Sequence, residues 1–276
     1  KRFGGSMAKP EPQPVPPGLD WDAWLGPARE RPFSSVYRPW HGWCDFGTGS
    51  LGGWGTHSMD AVCFALKLGY PQRVELLDVG DVSEDRFPRW STVRYDFPQR
   101  GDLPPISVHW HEGNKPNTDG SFKGADGKPS QTRPNLPAAF ARLEELDPDL
   151  AKSRSGAGNL FVGEKGIIIC SSHGGAPVLL PESRRKEFTL PEKTLPRPVG
   201  GIMGDFLSAC KAGGGPTFSG FASFSGPCLE MMLVGHLAMR AGLNNPVEWD
   251  GVNMKSTNRP ELNQYVKREY RHGWTL

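Results

Sequence analysis

Apolar and polar positions alternate or cluster in a few short windows along this chain, and those windows predict its elements. "RVELLDV" at 73–79, "STVRYDF" at 91–97 and "ISVHWHE" at 106–112 alternate in part and read as strands. "NLFVG", "GIIICSS" and "PVLLP", between 159 and 181, read as further strands. A short helix is predicted at 137–146, after a polar, Gly/Pro-rich excursion over 113–135. Helical patterns recur in "GDFLSACKAGG" and in "SGPCLEMMLVGHLAMRAG". In the latter, Pro227 stands where a first-turn proline is tolerated and Gly242 closes the helix. Leu229, Met232, Leu233 and Leu237 form its apolar stripe, bordered by His236, which reads as a core histidine. Its Met run reads as core filler.

Two helices precede the strands. Asp20 is an N-cap for "DWDAWLGPA", and Gly26-Pro27 stops that helix. The second helix runs from about Ser50 to Leu68 and ends at Gly69. Between them, loop 28–48 is rich in Pro and aromatics. Strands this close together favour antiparallel pairing. The predicted class is α+β, with one open, mostly antiparallel sheet and helices on one face. Residues 1–18 form a Pro/Gly-rich arm or interdomain linker, and 19–276 a single domain.

Composition narrows the choice of function. The 32 basic and 30 acidic residues leave a net charge of +2, which makes no case for nucleic acid or an acidic membrane surface. No apolar run approaches the roughly 18 to 20 residues that span a membrane. Cys44, Cys63, Cys170, Cys210 and Cys228 are odd in number and form no C-x-x-C, the usage of a reducing compartment. A cytoplasmic location is therefore expected. The chain opens on Lys1, which reads as a fragment or a processed form, so an upstream export signal stays an alternative.

"GTGSLG" at 47–52 fits the G-x-G-x-x-G pattern of a dinucleotide loop. That loop needs an apolar strand running into its first glycine. "HGWCDF" is too short and too polar for one, although Asp78 follows about 30 positions later as an acidic residue would. The helix that follows is more informative. Gly53, His57, Asp60 and Phe64 are spaced by 4, 3 and 4 and share a side. Imidazole is the usual proton carrier near neutral pH, so His57 and Asp60 are the candidate catalytic pair. On spacing alone, a structural His–Asp contact is the favoured reading.

Several segments together resemble the Gfo/Idh/MocA family, the sugar and inositol dehydrogenases related to glucose–fructose oxidoreductase. They are "LDWDAWLGPA" at 19–28, "HGWCDFGTGSLGGWGTHSMDAVCFALKLG", "LFVGEKGIII", "GDFLSACKAG" and "VEWDGVNMKSTNRPELNQYVKREYRHGW", in that order. The resemblance implies a two-domain enzyme. A Rossmann domain would hold NAD or NADP, and this chain would be the C-terminal domain that supplies part of the substrate pocket and an oligomer contact. The family's catalytic lysine, in an E-K-P motif, would belong to the other half. Pro191-Glu192-Lys193 has a different order and place. In the family's Asp-x-x-x-His, the histidine falls on His57 and the aspartate on Gly53. His57 would then act as acid/base on a substrate hydroxyl, without the carboxylate that orients such a ring, unless Asp60 compensates.

The implied ligands are sugars, sugar acids or cyclitols, and the implied assembly is a dimer or tetramer. A glycoside-cleaving or epimerising relative and a non-catalytic binding or assembly module are the rival readings. Trp40 and Trp43 precede the helix and could face a sugar, with core packing as the alternative. "HWHEG" places His109 and His111 on one sheet face, as further substrate contacts, and Glu112 on the other. With no third ligand by spacing, no metal is expected there. "RRK" at 184–186 and "KREYRH" at 267–272 read as solvated charge.

Overall fold

The computed structural model describes residues 9–275 except 82, 125, 155, 156 and 219. In chain order the elements are α1 (Trp21–Leu25), α2 (Gly49–Gly53), α3 (Gly55–Leu66), β1 (Arg73–Gly80), β2 (Trp90–Phe97), β3 (Ile106–Pro116), β4 (Thr132–Pro134), α4 (Phe140–Leu146), α5 (Pro148–Arg154), β5 (Asn159–Gly163), β6 (Gly166–Cys170), β7 (Val178–Leu180), α6 (Glu182–Glu187), α7 (Gly201–Lys211), α8 (Gly226–Ala241), β8 (Val247–Asp250) and β9 (Lys255–Ser256). The strands form two sheets, and every pairing within them is antiparallel. The larger has the order β4-β3-β2-β1-β8-β9 and the smaller β5-β6-β7.

The α+β class holds, but the single sheet expected from the strand spacing is two. The long excursion after β3 and the α4–α5 pair separate β5–β7 from the main sheet. The small sheet closes its own core, in which Ile169 and Leu180 pack against Phe140, Leu143 and Ala151. Helices α2, α3 and α8 cover one face of the large sheet. Val74, Leu76, Val93, Tyr95, Phe97 and Trp110 point into that core, where they meet Leu51, Met59, Met231, Met232 and Val234. Alternation along each strand sends Arg94, Asp96, His109 and His111 to the opposite face.

Several local expectations hold. The Asp20 side chain accepts a hydrogen bond from the Ala23 N–H at 3.0 Å, and Gly26 ends α1 with φ 55°. Gly242 caps α8 with φ 88°. Others need correction. The helix predicted over 50–68 is broken at Trp54, where Gly52 and Gly53 weaken helix propagation. It ends early at Leu66, because Lys67 turns left-handed (φ 50°, ψ 47°) and its N–H caps the carbonyls of Cys63 and Phe64. The helix predicted at 137–146 starts only at Phe140, and α5 follows it unpredicted.

The stripe on α8 is also rotated from its prediction. Met231, Met232, Val234, Gly235, Leu237 and Ala238 are buried, whereas Leu229 and Leu233 are exposed. The helix is apolar nearly all round, so periodicity alone does not select the core face. Nor is the tail's charge only solvated. Arg268 donates to the carbonyls of Asp45 and Cys44, and Arg271 donates to those of Gly26 and Asp22 while pairing with the Asp22 carboxylate at 2.6 Å. In the other basic run, Arg185 and Lys186 pair with Glu182, and Arg184 donates to the Lys165 carbonyl. Residues 1–8 of the arm lie outside the described residues. Residues 9–18 are irregular, with Gln13 hydrogen-bonded to Phe33 and Ser35.

Candidate functional site

His57 occupies the first turn of α3, immediately after the break at Trp54, and its side chain is exposed. The break directs the Trp54 ring onto it, edge to face, at 5.5 Å between centroids. A third ring closes the group. His173, from the turn that follows β6, lies 5.1 Å from His57 and 5.6 Å from Trp54.

The sequence "CSSHGG" explains how that turn is held. The Ser171 hydroxyl accepts from the Gly175 N–H at 3.0 Å, and the Ser171 N–H donates to the Gly175 carbonyl at 2.9 Å. Ser172 Oγ stands 3.0 Å from Nδ1 of His173. Gly174, at φ +74°, rides directly on α3, where a Cβ would come within 2.4 Å of the Ala61 Cβ. The turn is thus fixed against the helix that carries His57. Two imidazoles and an indole face offer proton acceptors and donors beside an apolar plane, which suits a ligand with hydroxyls and C–H faces.

Asp60 is exposed one turn further along α3, and among the described residues no hydrogen bond or ion pair joins it to His57. Trp40 is 43% exposed and stacks on His41. Trp43 is 1% exposed, packs edge-on to Tyr37 and donates its indole N–H to the Val36 carbonyl at 3.1 Å. Of the two alternatives for Trp43, the structure places it in the core, with no face turned to a ligand. His109 and His111 do share a face, but it is the sheet face away from the helices, so the structure does not bring them to His57. Burial, helped by Arg94, lowers the pKa of His109. Burial and the neighbouring His109 push His111 down to about 4. Both are neutral at neutral pH. Glu112 is buried on the core face, as expected from alternation, where Ser91 Oγ donates to it at 2.6 Å; burial raises its pKa.

"GTGSLG" follows a 3-10 turn at Trp40–Gly42 and an isolated bridge at Trp43, not a strand, and the helix it opens has five residues. These residues do not fit a dinucleotide, and none is assigned to one. Asp78, the acidic residue beyond it, pairs with Lys115 on the outer sheet face. A cleft of about 1020 Å³ lies elsewhere, between α8, the loop before α2 and the C-terminal tail. His236 lines it beneath Phe87, with ring centroids 4.6 Å apart, and burial and then Arg240 push its pKa down to about 4. His236 is neutral and partly buried on a core helix, which agrees with the core reading, although its Nε2 has no partner among the described residues. Among the described residues no cluster of three or more His, Cys, Asp or Glu could hold a metal.

His173 and Trp54 escaped the sequence reading. A lone histidine in a Ser/Gly turn after a strand was the available signal for the first, and adjacency to His57 for the second.

The sequence profile of the family described as "Oxidoreductase family, C-terminal alpha/beta domain", of the Gfo/Idh/MocA type, matches residues 3–153, more than half of the chain. The chain belongs to this family. Strands β1–β4 of the main sheet, α3 and His57 fall inside the matched region, whereas β8, β9 and the turn carrying His173 fall outside it. No curated protein matches the chain. No helix among the described residues is long and apolar enough to cross a membrane.

Proposed function

We propose that this domain binds a sugar, sugar acid or cyclitol for an NAD(P)-dependent oxidoreductase, and that His57 takes or gives the proton of the reacting hydroxyl. The observation that carries this reading is the exposed His57 imidazole, bracketed by Trp54 and His173 at the start of α3. A nicotinamide held by a companion domain supplies the hydride acceptor. The chain's own residues bind and orient. Trp54 offers a face for sugar C–H groups, and His173 offers a second hydrogen-bonding ring beside His57. Dimers or tetramers and a cytoplasmic location complete the proposal.

In the complete oxidoreductase, His57→Gln should lower kcat/KM by about 10²- to 10⁴-fold with the fold intact. Unchanged turnover would remove His57 from the chemistry. A panel of monosaccharides, aldonic acids and inositols, added to the chain labelled at histidine and tryptophan nitrogen, should shift His57, His173 and Trp54 first. Gly53 favours a second reading, epimerisation or glycoside cleavage through a transient keto intermediate, in which product forms without net accumulation of reduced cofactor.

A further inference from the structure

Cys63 lies in the third turn of α3 and Cys228 in the first turn of α8. Their Sγ atoms are 2.8 Å apart, closer than two sulfurs in ordinary van der Waals contact, and the residues are 2% and 8% exposed. Neither carries a disulfide. The helices pack against each other, so the two sulfurs are held face to face by the main core. Among the described residues the other cysteines show no such partner: Cys170 contacts the Asn159 carbonyl, Cys44 is half-buried and Cys210 is exposed.

We propose that Cys63 and Cys228 are a redox-active pair that closes into a disulfide joining α3 to α8. The two thiols are not equivalent. The contact with Cys63 lowers the pKa of Cys228, which lies where the π-helical turn Phe221–Ser225 runs into α8. The same contact, with burial, raises Cys63. Cys228 is therefore the attacking thiolate and Cys63 the resolving thiol. The Cys228 thiolate attacks a low-molecular-weight disulfide, forming a mixed disulfide and releasing one small thiolate. Cys63 then loses its proton to solvent and attacks Sγ of Cys228, which expels the second small thiolate. In sum the protein loses two protons and two electrons, and the small disulfide is reduced to two thiols. Access comes through local opening of the π-helical turn Phe221–Ser225, which is largely exposed and runs directly into the first turn of α8. The bridge spans 165 positions of sequence and fixes the helix that carries His57.

The test uses the full chain with oxidised glutathione as the probe, followed by alkylation and peptide mapping without reduction. A peptide pair joined through Cys63 and Cys228 is expected, with both cysteines protected from alkylation. Closing so long a loop should raise Tm by on the order of 10 °C, reversibly with dithiothreitol. Cys63→Ser and Cys228→Ser should each abolish the rise. If either variant fails to fold, mapping of the unsubstituted chain decides alone. Full alkylation of both cysteines after oxidation overturns the proposal. So does a bridge to Cys44, Cys170 or Cys210, or a glutathione adduct on Cys228 that never resolves.

Discussion

The imidazole of His173 stands 5.1 Å from that of His57, although the two residues come from different layers of the fold, one from a helix on the main sheet and the other from a turn of the small sheet. Their meeting depends on Gly174. Gly174→Ala would force a side chain into a left-handed backbone and onto Ala61. The expected cost is about 1–3 kcal/mol. The ring-current shift between the two histidines should fall with it in NMR spectra. A variant that keeps both stability and ring contact would show that the turn is not pinned there.

The core has an equally tight point on α8. A Cβ on Gly235 would lie 2.2 Å from the Tyr95 hydroxyl and 2.6 Å from Cδ2 of Leu51. Tyr95 and Leu51 are fully buried and cannot swing outward. Gly235→Ala should therefore destabilise the domain, by about 1–3 kcal/mol, in spite of its better helix propensity. Urea denaturation measures this, with a lowered midpoint and unchanged slope.

Glu112 gives a pH dependence of unusual sign. Its folded-state pKa is raised above the ordinary 4.5 by burial. The folded state thus holds its proton more tightly than the unfolded chain does. The stability associated with the protonated form is complete below about pH 4.5 and declines as pH rises toward the folded-state value. Glu112→Gln keeps an oxygen for Ser91 and removes the titration. The variant should gain stability relative to the unsubstituted chain as pH rises from 4.5 to 7, measured by thermal melts across that range.

His111 and His236 act in the opposite direction. Each is pushed down from 6.5 to about 4, so each must be kept neutral in the folded state. Their contribution is complete above pH 6.5 and is lost as pH falls toward 4. His109 is also shifted down, so His111→Gln removes one of three such titrations and should flatten the acid limb of the stability curve. An acid limb identical to that of the unsubstituted chain would place the titration elsewhere.

Much of this fold is legible in the sequence, for identifiable reasons. Strands β1, β2 and β3 alternate in part because one face packs into the core while the other is less buried; a bulge in β1 and the buried run Ser91–Val93 in β2 interrupt the period. Asp20 and Gly242 mark helix ends through local chemistry alone. His57 enters as a candidate through its helical spacing and the resemblance of its helix to a family motif. Strands β4, β8 and β9 have two to four residues, too few to show a period. Trp40 and Trp43 share one aromatic loop, and only the packing of Tyr37 and Arg86 decides which is buried. His173 belongs to the site through a long-range contact that no local pattern encodes.

The ties made by Arg268 and Arg271 have a mechanical consequence. They fasten the tail to Asp22, Gly26, Cys44 and Asp45, ahead of nearly all the regular structure. A pulling force applied between the first helix and the tail is carried across these contacts, and the strands between them bear no tension until the guanidinium groups let go. The two arginines act as a fuse: the first event on an extension trace should be their release, a small rip, followed at higher load by the sheet.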